Sequence, residues 1–141
     1  MHLTWKCKNA MVNNNNFTEN SSGIKVSDSY DGTVTNNAFA NSGRGIFLER
    51  SSNIIITKNL IEGNTGAGVS IMAPGAGNSI HYNTFKNNSV AVSNGTSMPV
   101  DATLNWWGTT DKNAITKMFF NILEDAPVEF FPWLNAPYQE E

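Results

Sequence analysis

Residues 54–69 read IIITKNLIEGNTGAGV, and variants of this pattern recur along the 141-residue chain. Each copy contains an apolar residue, an asparagine, a second apolar residue, a glycine turn and a further apolar pair. The asparagines follow one another at steps of 22, 22, 24 and 22 residues. Self-similarity at one short period is typical of solenoid proteins, in which each copy stacks on its neighbours. The aligned asparagines are Asn15, Asn37, Asn59, Asn83 and Asn105.

The spacing inside each copy predicts β-strands. Apolar residues alternate with a period of two, as at Ile46 and Leu48 or at Ile54 and Ile56, which puts one set of side chains on one strand face. A copy of 22 residues has room for three short strands and their bends, because a strand rises about 3.3 Å per residue. Stacked in parallel register at about 4.8 Å, such copies form a parallel β-helix.

The asparagine has a predicted role inside the coil. Apolar rows lie three residues before it and two residues after it, so the inside–outside alternation must slip once just before the asparagine. Asparagine tolerates the backbone angles of such a bend. We expect its side chain to point inward and to bond to the asparagines of neighbouring coils as a ladder, with a ligand site as the alternative. A glycine row, Gly23, Gly45 and Gly68, is predicted to form a corner that needs a positive φ or a close chain approach.

These motifs carry a family resemblance. Residues 12–108 resemble the right-handed parallel β-helix repeat of NosD-like and related carbohydrate-active surface proteins. Residues 105–108, NWWG, and residues 128–134, VEFFPWL, are similar to the C-terminal finish of that group. The resemblance implies an all-β, right-handed parallel β-helix of about five coils and suggests a secreted or cell-surface location. It does not imply one activity, because this architecture serves lyases, hydrolases, epimerases and non-catalytic domains.

The domain organisation follows from where the period stops. We expect a single domain over residues 1–141, with coils in 1–108 and a helix-and-strand cap in 109–141. Asp111 is a candidate helix cap, and Pro127 precedes a short predicted strand. The spacing between them predicts an amphipathic helix of about three turns over the open end of the coil. Its apolar positions are Ile115, Met118, Phe119, Ile122 and Leu123.

The first coil is predicted to be incomplete. Leu3 and Trp5 alternate like the last two apolar rows of the later copies, and Ala10 matches Ile54. An open first coil presents unpaired strand edges. We therefore expect self-association through this end, or a chain that is cut from a longer protein.

Composition excludes some classes of partner. Charged residues make up 15% of the chain, the net charge is −3 and no basic cluster occurs, so we expect no nucleic-acid or membrane partner. One cysteine allows no intrachain disulfide. Two distant histidines and this cysteine predict no metal site, and no phosphate-binding glycine loop predicts a cofactor.

Candidate ligand-binding residues come from the predicted register. Asp28 and Arg50 are 22 residues apart and are predicted to form a surface ion pair. His81 aligns with threonines and has no predicted carboxylate partner. One grouping is a candidate site on the outer face, with a solvated surface as the alternative, and one outward aromatic residue is added as a sugar-binding candidate. These residues are Lys25, Arg44, Phe47, Glu49 and Tyr82.

The predicted function follows from the acidic residues. Carboxylates spaced for general acid–base catalysis are not visible in the predicted register. The sequence therefore favours a non-catalytic structural or carbohydrate-binding module, with a polysaccharide as partner. The alternative is a fragment or relative of a polysaccharide lyase, hydrolase or epimerase whose active residues lie partly outside this chain.

Overall fold

The protein folds as a β-solenoid of about five turns, which confirms the predicted parallel β-helix. The structure is a computed structural model that describes residues 1–4 and 6–139. One short helix, α1 (Lys112–Thr116), lies between the fourteenth and fifteenth strands. The strands in chain order are β1 (His2–Leu3), β2 (Met11–Asn13), β3 (Asn16–Thr18), β4 (Ser22–Ser27), β5 (Thr33–Thr35), β6 (Ala38–Ala40), β7 (Arg44–Glu49), β8 (Ile55–Thr57), β9 (Leu60–Glu62), β10 (Ala67–Met72), β11 (Ser79–His81), β12 (Thr84–Lys86), β13 (Val90–Gly95), β14 (Val100–Asp101), β15 (Phe119–Asn121) and β16 (Val128–Glu129).

Three parallel sheets run along the coil axis. The first sheet has the order β1-β4-β7-β10-β13-β15, the second β2-β5-β8-β11-β14-β16, and the third β3-β6-β9-β12. Each strand pairs with the equivalent strand of the next coil, so Ile46 lies opposite Ile24 on one side and Val69 on the other. The sequence period therefore sets the register of every long strand pair.

The core lies between the three sheets and is filled by the predicted apolar rows. Ile46, Phe39 and Ile56 come from the first, third and second sheets respectively, and all three are fully buried. The ring of Phe39 stacks on that of Phe17, with centroids 5.0 Å apart. Like residues pack on like residues from coil to coil because the register repeats.

The inward asparagines are joined by hydrogen bonds from coil to coil. Oδ1 of Asn59 accepts from the backbone N–H of Asn37 (2.9 Å) and from its Nδ2 (3.1 Å). In turn, Nδ2 of Asn59 donates to Oδ1 of Asn83 (3.0 Å) and to the carbonyl of Val34 (2.9 Å). We call the set of five the asparagine row: Asn15, Asn37, Asn59, Asn83 and Asn105.

The left-handed residue of the bend is the one before the asparagine, not the asparagine itself. The slip before the asparagine is present, but the residue with a left-handed backbone is the preceding one, as at Lys58 (φ 58°) and Leu104 (φ 60°). The asparagine itself does not adopt the left-handed conformation. Its side chain therefore serves hydrogen bonding, and the strain of the bend falls on a neighbour of variable type.

A second polar row stacks five residues after the asparagine row. Ser42 donates its backbone N–H to Oδ1 of Asn64 (3.1 Å), and Asn64 donates in the same way to Asn88 (3.1 Å). The backbone N–H of Asn20 bonds to the hydroxyl of Ser42 (3.0 Å). We call Asn20, Ser42, Asn64 and Asn88 the second polar row.

The C-terminal region differs from the predicted three-turn helix. Asp111 does cap a helix, accepting from the backbone N–H of Asn113, but α1 has only five residues. Phe119 belongs to β15, which pairs with β13, and Val128 belongs to β16, which pairs with β14. One sheet thus gains the strand β15 where helix was expected, and β16 begins where the short strand after Pro127 was predicted.

The first coil carries the edge strands β1, β2 and β3. Leu3 lies opposite Val26, so it belongs one apolar row later than predicted, whereas Trp5 lies outside the described residues. The match of Ala10 to Ile54 holds, because Ala10, Gly32 and Ile54 accept at equivalent positions. Self-association through this end stays a prediction. No helix in the described part of the chain is long and apolar enough to span a membrane.

Candidate functional site

The outer face of the first sheet presents one straight row of side chains. Lys25 lies opposite Phe47, and Phe47 lies opposite Ser70, as the register predicted. Neighbouring strands are about 4.8 Å apart, so five steps along the row span roughly 24 Å. The row consists of His2, Lys25, Phe47, Ser70, Ser93 and Phe120.

The carboxylates beside this row are held in a network of ion pairs. Nζ of Lys25 lies 3.3 Å from a carboxylate oxygen of Glu49, whose other oxygen is 3.4 Å from Arg50. Arg50 also donates two hydrogen bonds, of 2.7 and 2.9 Å, to the carboxylate of Asp28, which confirms the predicted ion pair. The hydrogen bond from Arg50 lowers the pKa of Asp28, and the hydrogen bond from Lys25 lowers the pKa of Glu49. Both groups are thereby kept ionised, whereas a general acid needs a raised pKa.

This network predicts a pH dependence of stability. A carboxyl group with a lowered folded-state pKa stabilises the protein above its unfolded pKa, and the contribution is lost as pH falls through the folded value. In the unfolded chain the pKa of Asp is about 3.9 and that of Glu is about 4.3, so the stabilisation should begin to be lost below about pH 4. We expect the difference in melting temperature between wild type and Asp28→Asn to shrink from pH 7 to pH 3. Comparing the two proteins at the same pH removes the contribution of the other acidic groups. A difference in melting temperature that stays constant from pH 7 to pH 3 would contradict the prediction.

Phe47 acts as a platform for cations. The guanidinium carbon of Arg44 lies 4.1 Å from the centroid of the Phe47 ring, and Nζ of Lys25 lies 5.2 Å from it. Cations are attracted to an aromatic face at such distances. Among the described residues Arg44 forms no ion pair with a carboxylate. The ring therefore orients a guanidinium and is not the open aromatic surface that a sugar would cover.

A groove begins beside Arg44 and crosses the sheet. Its floor consists of small side chains, including Ser70 and Ser93, and its far wall is Phe120, whose surface is 53% exposed. The groove encloses about 600 Å³. We name it the serine groove, and its principal lining residues are Arg44, Thr65, Ala67, Ser70, Ser93 and Phe120.

One protein family matches most of the chain. The family described as periplasmic copper-binding protein (NosD) matches residues 2–121. The chain belongs to the NosD family. This confirms the resemblance that the repeat suggested. Neither the curated proteins nor the solved structures gave a significant match.

The described His, Cys, Asp and Glu side chains of this NosD chain do not gather into a metal site. Copper sites in proteins are built from clustered imidazole, thiolate and thioether groups. Over residues 1–4 and 6–139 no group of three or more His, Cys, Asp or Glu side chains converges. Cys7 donates to the carbonyl of Thr4 (3.2 Å), and His2 lies 3.3 Å from the hydroxyl of Ser27. The copper named in the family description therefore enters no step of the function argued below.

Tyr82 does not belong with the other candidate residues of the NosD chain. Lys25, Arg44, Phe47 and Glu49 meet on the first sheet, but Tyr82 lies in the turn between β11 and β12. Its backbone is left-handed (φ 59°), and its ring lies 4.9 Å from that of Tyr138. Tyr82, which the sequence predicted only as an outward aromatic residue, therefore lies on a different part of the coil from the other four candidates.

His81 has a carboxylate neighbour that the sequence analysis missed. Its Nε2 lies 3.4 Å from Asp101, and its Nδ1 lies 2.8 Å from the carbonyl of Thr103. Asp101 aligns with Ser79, not with His81, so the contact runs diagonally between coils. Both ring nitrogens of His81 therefore face oxygen atoms of the protein.

Proposed function

We propose that this NosD-family chain is a non-catalytic module that binds a carbohydrate chain in the serine groove. One observation supports the proposal most directly. Ser70, Ser93 and Phe120 follow one another on successive strands beside the guanidinium of Arg44. Hydroxyl groups and a guanidinium suit the oxygen atoms of a sugar, and an exposed aromatic ring suits its apolar face.

The charges beside the groove support binding without catalysis. Glu49 and Asp28, the carboxylates beside the outer row of the first sheet, have lowered pKa values and are ion-paired. The serine groove itself is lined by no acidic residue of the described chain. Catalysis of glycoside cleavage ordinarily uses two carboxyl groups that flank the bond. We accordingly place the function in retention of a polymer outside the cytoplasm, as the periplasmic description of the family suggests.

A polysaccharide panel tests this proposal. Neutral and acidic polymers are immobilised, and retention of wild type is compared with retention of Phe120→Ala. We expect the substitution to weaken binding about tenfold, since a central aromatic contact is a typical binding hot spot. Phe131→Ala is the matched control, because Phe131 is 73% exposed and lies outside the groove.

The same panel separates binding from the enzyme alternative. New chain ends in the polymer would assign an activity to the chain and overturn the non-catalytic proposal. Failure of wild type to bind any polymer, or equal binding by Phe120→Ala and wild type, would remove the serine groove as a carbohydrate site.

A further inference from the structure

We propose that a second cleft, at the C-terminal end of the coils, binds a carboxylate. This cleft lies between the corner that follows β12 and the side chain of Trp107, and it encloses about 250 Å³. We call it the Trp107 cleft. Its principal lining residues are Phe85, Lys86, Asn88, Ala91, Trp107 and Met118.

The first observation is an orphaned donor. Trp107 is 1% exposed and lies between the ring of Phe85, 4.6 Å away, and the ring of Phe119, 4.9 Å away. Its indole Nε1 has no hydrogen-bond partner among the described residues. An indole N–H can only donate, and buried polar groups in native proteins are nearly always satisfied. The indole N–H of Trp107 is therefore a donor for which the described residues supply no acceptor.

The second observation is that the second polar row ends in the same cleft. Oδ1 of Asn88 accepts from the backbone N–H and from Nδ2 of Asn64, at 3.1 and 2.8 Å. Nδ2 of Asn88 donates to the carbonyl of Ile61 (2.9 Å). The position 22 residues later is Thr110, an exposed residue beyond the last repeat. At each earlier step the backbone N–H donates to the next side-chain oxygen, and the backbone N–H of Asn88 has no such partner among the described residues.

The charge and size of the cleft select the ligand. Lys86 is the only charged residue among the described lining residues, so the cleft offers donors and one positive charge. A carboxylate is anionic and planar, and it has the shape of the side-chain amides of Asn64 and Asn88 in the second polar row. A volume of 250 Å³ falls below the range of about 300–1,000 Å³ typical of drug-sized ligands. A single carboxylate group, free or carried on a sugar, fits these limits.

The test follows the indole N–H of Trp107 by proton–nitrogen NMR of the whole chain. The peak is assigned by its loss in Trp107→Phe, or by contacts with the ring protons of Phe85 should that variant not fold. We expect acetate to shift this peak saturably, while chloride at the same ionic strength does not. Glucuronate binding at least tenfold more tightly than acetate would identify a sugar-borne carboxylate, and equal affinities would identify a free small carboxylate.

Two variants test whether Lys86 and Trp107 take part in acetate binding. Lys86→Gln should weaken acetate binding at least threefold, and the matched control Lys112→Gln, on α1 outside the cleft, should not change it. In Trp107→Phe the acetate-induced shifts of the Asn88 and Ala91 amides should disappear. A Trp107 peak that does not move, or that moves linearly and alike with acetate and chloride, would overturn the proposal. The serine groove would be unaffected by that outcome.

Discussion

Asn59→Ala should lower the free energy of unfolding by about 3 kcal/mol. The substitution removes the acceptor of Asn37, whose backbone N–H and Nδ2 both bond to Oδ1 of Asn59. It also removes one of the donors to the carbonyl of Val34 and the side-chain donor to Oδ1 of Asn83. Each buried group left unsatisfied costs about 1–3 kcal/mol, partly offset by relaxation around the smaller side chain. Chemical denaturation of wild type and variant measures the difference directly.

Asn16→Ala is the matched control for this experiment. Asn16 lies on the exposed outer side of β3, and no hydrogen bond of its side chain involves the described residues. Surface changes of this kind usually alter stability by less than about 0.5 kcal/mol. Equal stability of Asn59→Ala and Asn16→Ala would show that the asparagine row contributes no net stability.

Gly45→Ala should destabilise the protein by a similar amount, about 3 kcal/mol. A Cβ atom at Gly45 would lie 2.6 Å from the carbonyl oxygen of Gly68 on the next coil and 3.3 Å from Cβ of Phe39. The φ of Gly45 is not left-handed, so alanine would meet no conformational strain there and the cost is steric. The carbonyl can retreat only by loosening the pairing of β7 with β10, and overpacking of this kind costs typically about 1–3 kcal/mol.

Ala91 provides the internal control for the glycine row. It occupies the equivalent position in β13, where its backbone N–H bonds to the carbonyl of Met118. We expect Ala91→Gly to lose only about 0.5–1 kcal/mol, the usual cost of glycine in a strand interior. If Gly45→Ala melted at the wild-type temperature, the glycine would not be required for close approach of the coils.

The glycine row shows how far the sequence could be interpreted. The repeat predicted Gly23, Gly45 and Gly68 as special positions and offered two reasons, a corner or a close approach. The structure places all three inside strands β4, β7 and β10 and supports the second reason. A period reveals which residues are equivalent, but it does not reveal where along the coil the chain turns.

The C-terminal region shows why part of the candidate site was missed. The spacing of Ile115, Met118 and Phe119 fits a helical face, and local pattern alone favours a helix there. The open edge of β13 offers strand pairing to residues that are distant in sequence, and this pairing ends the helix at Thr116. Phe120 consequently became an exposed wall of the serine groove instead of a helix residue.

Contacts within the register were predictable, whereas diagonal contacts were not. Lys25 beside Phe47 and Asp28 beside Arg50 follow from a step of 22 residues. The contact between His81 and Asp101 depends on side-chain rotamers, which the period does not encode. The second polar row repeats with the same steps, but a serine at Ser42 among asparagines concealed it.

The amide-to-amide hydrogen bonds of the asparagine row all run in one direction. At each step from Asn15 to Asn105, Nδ2 of one asparagine donates to Oδ1 of the asparagine in the following coil. Aligned hydrogen bonds polarise one another, which strengthens the row as coils are added. The two ends of the asparagine row therefore differ in polarity. A two-fold pairing of first coils would set acceptor against acceptor. The other end of the row is closed, because Asn105 is fully buried and its Nδ2 donates to carbonyls of this chain.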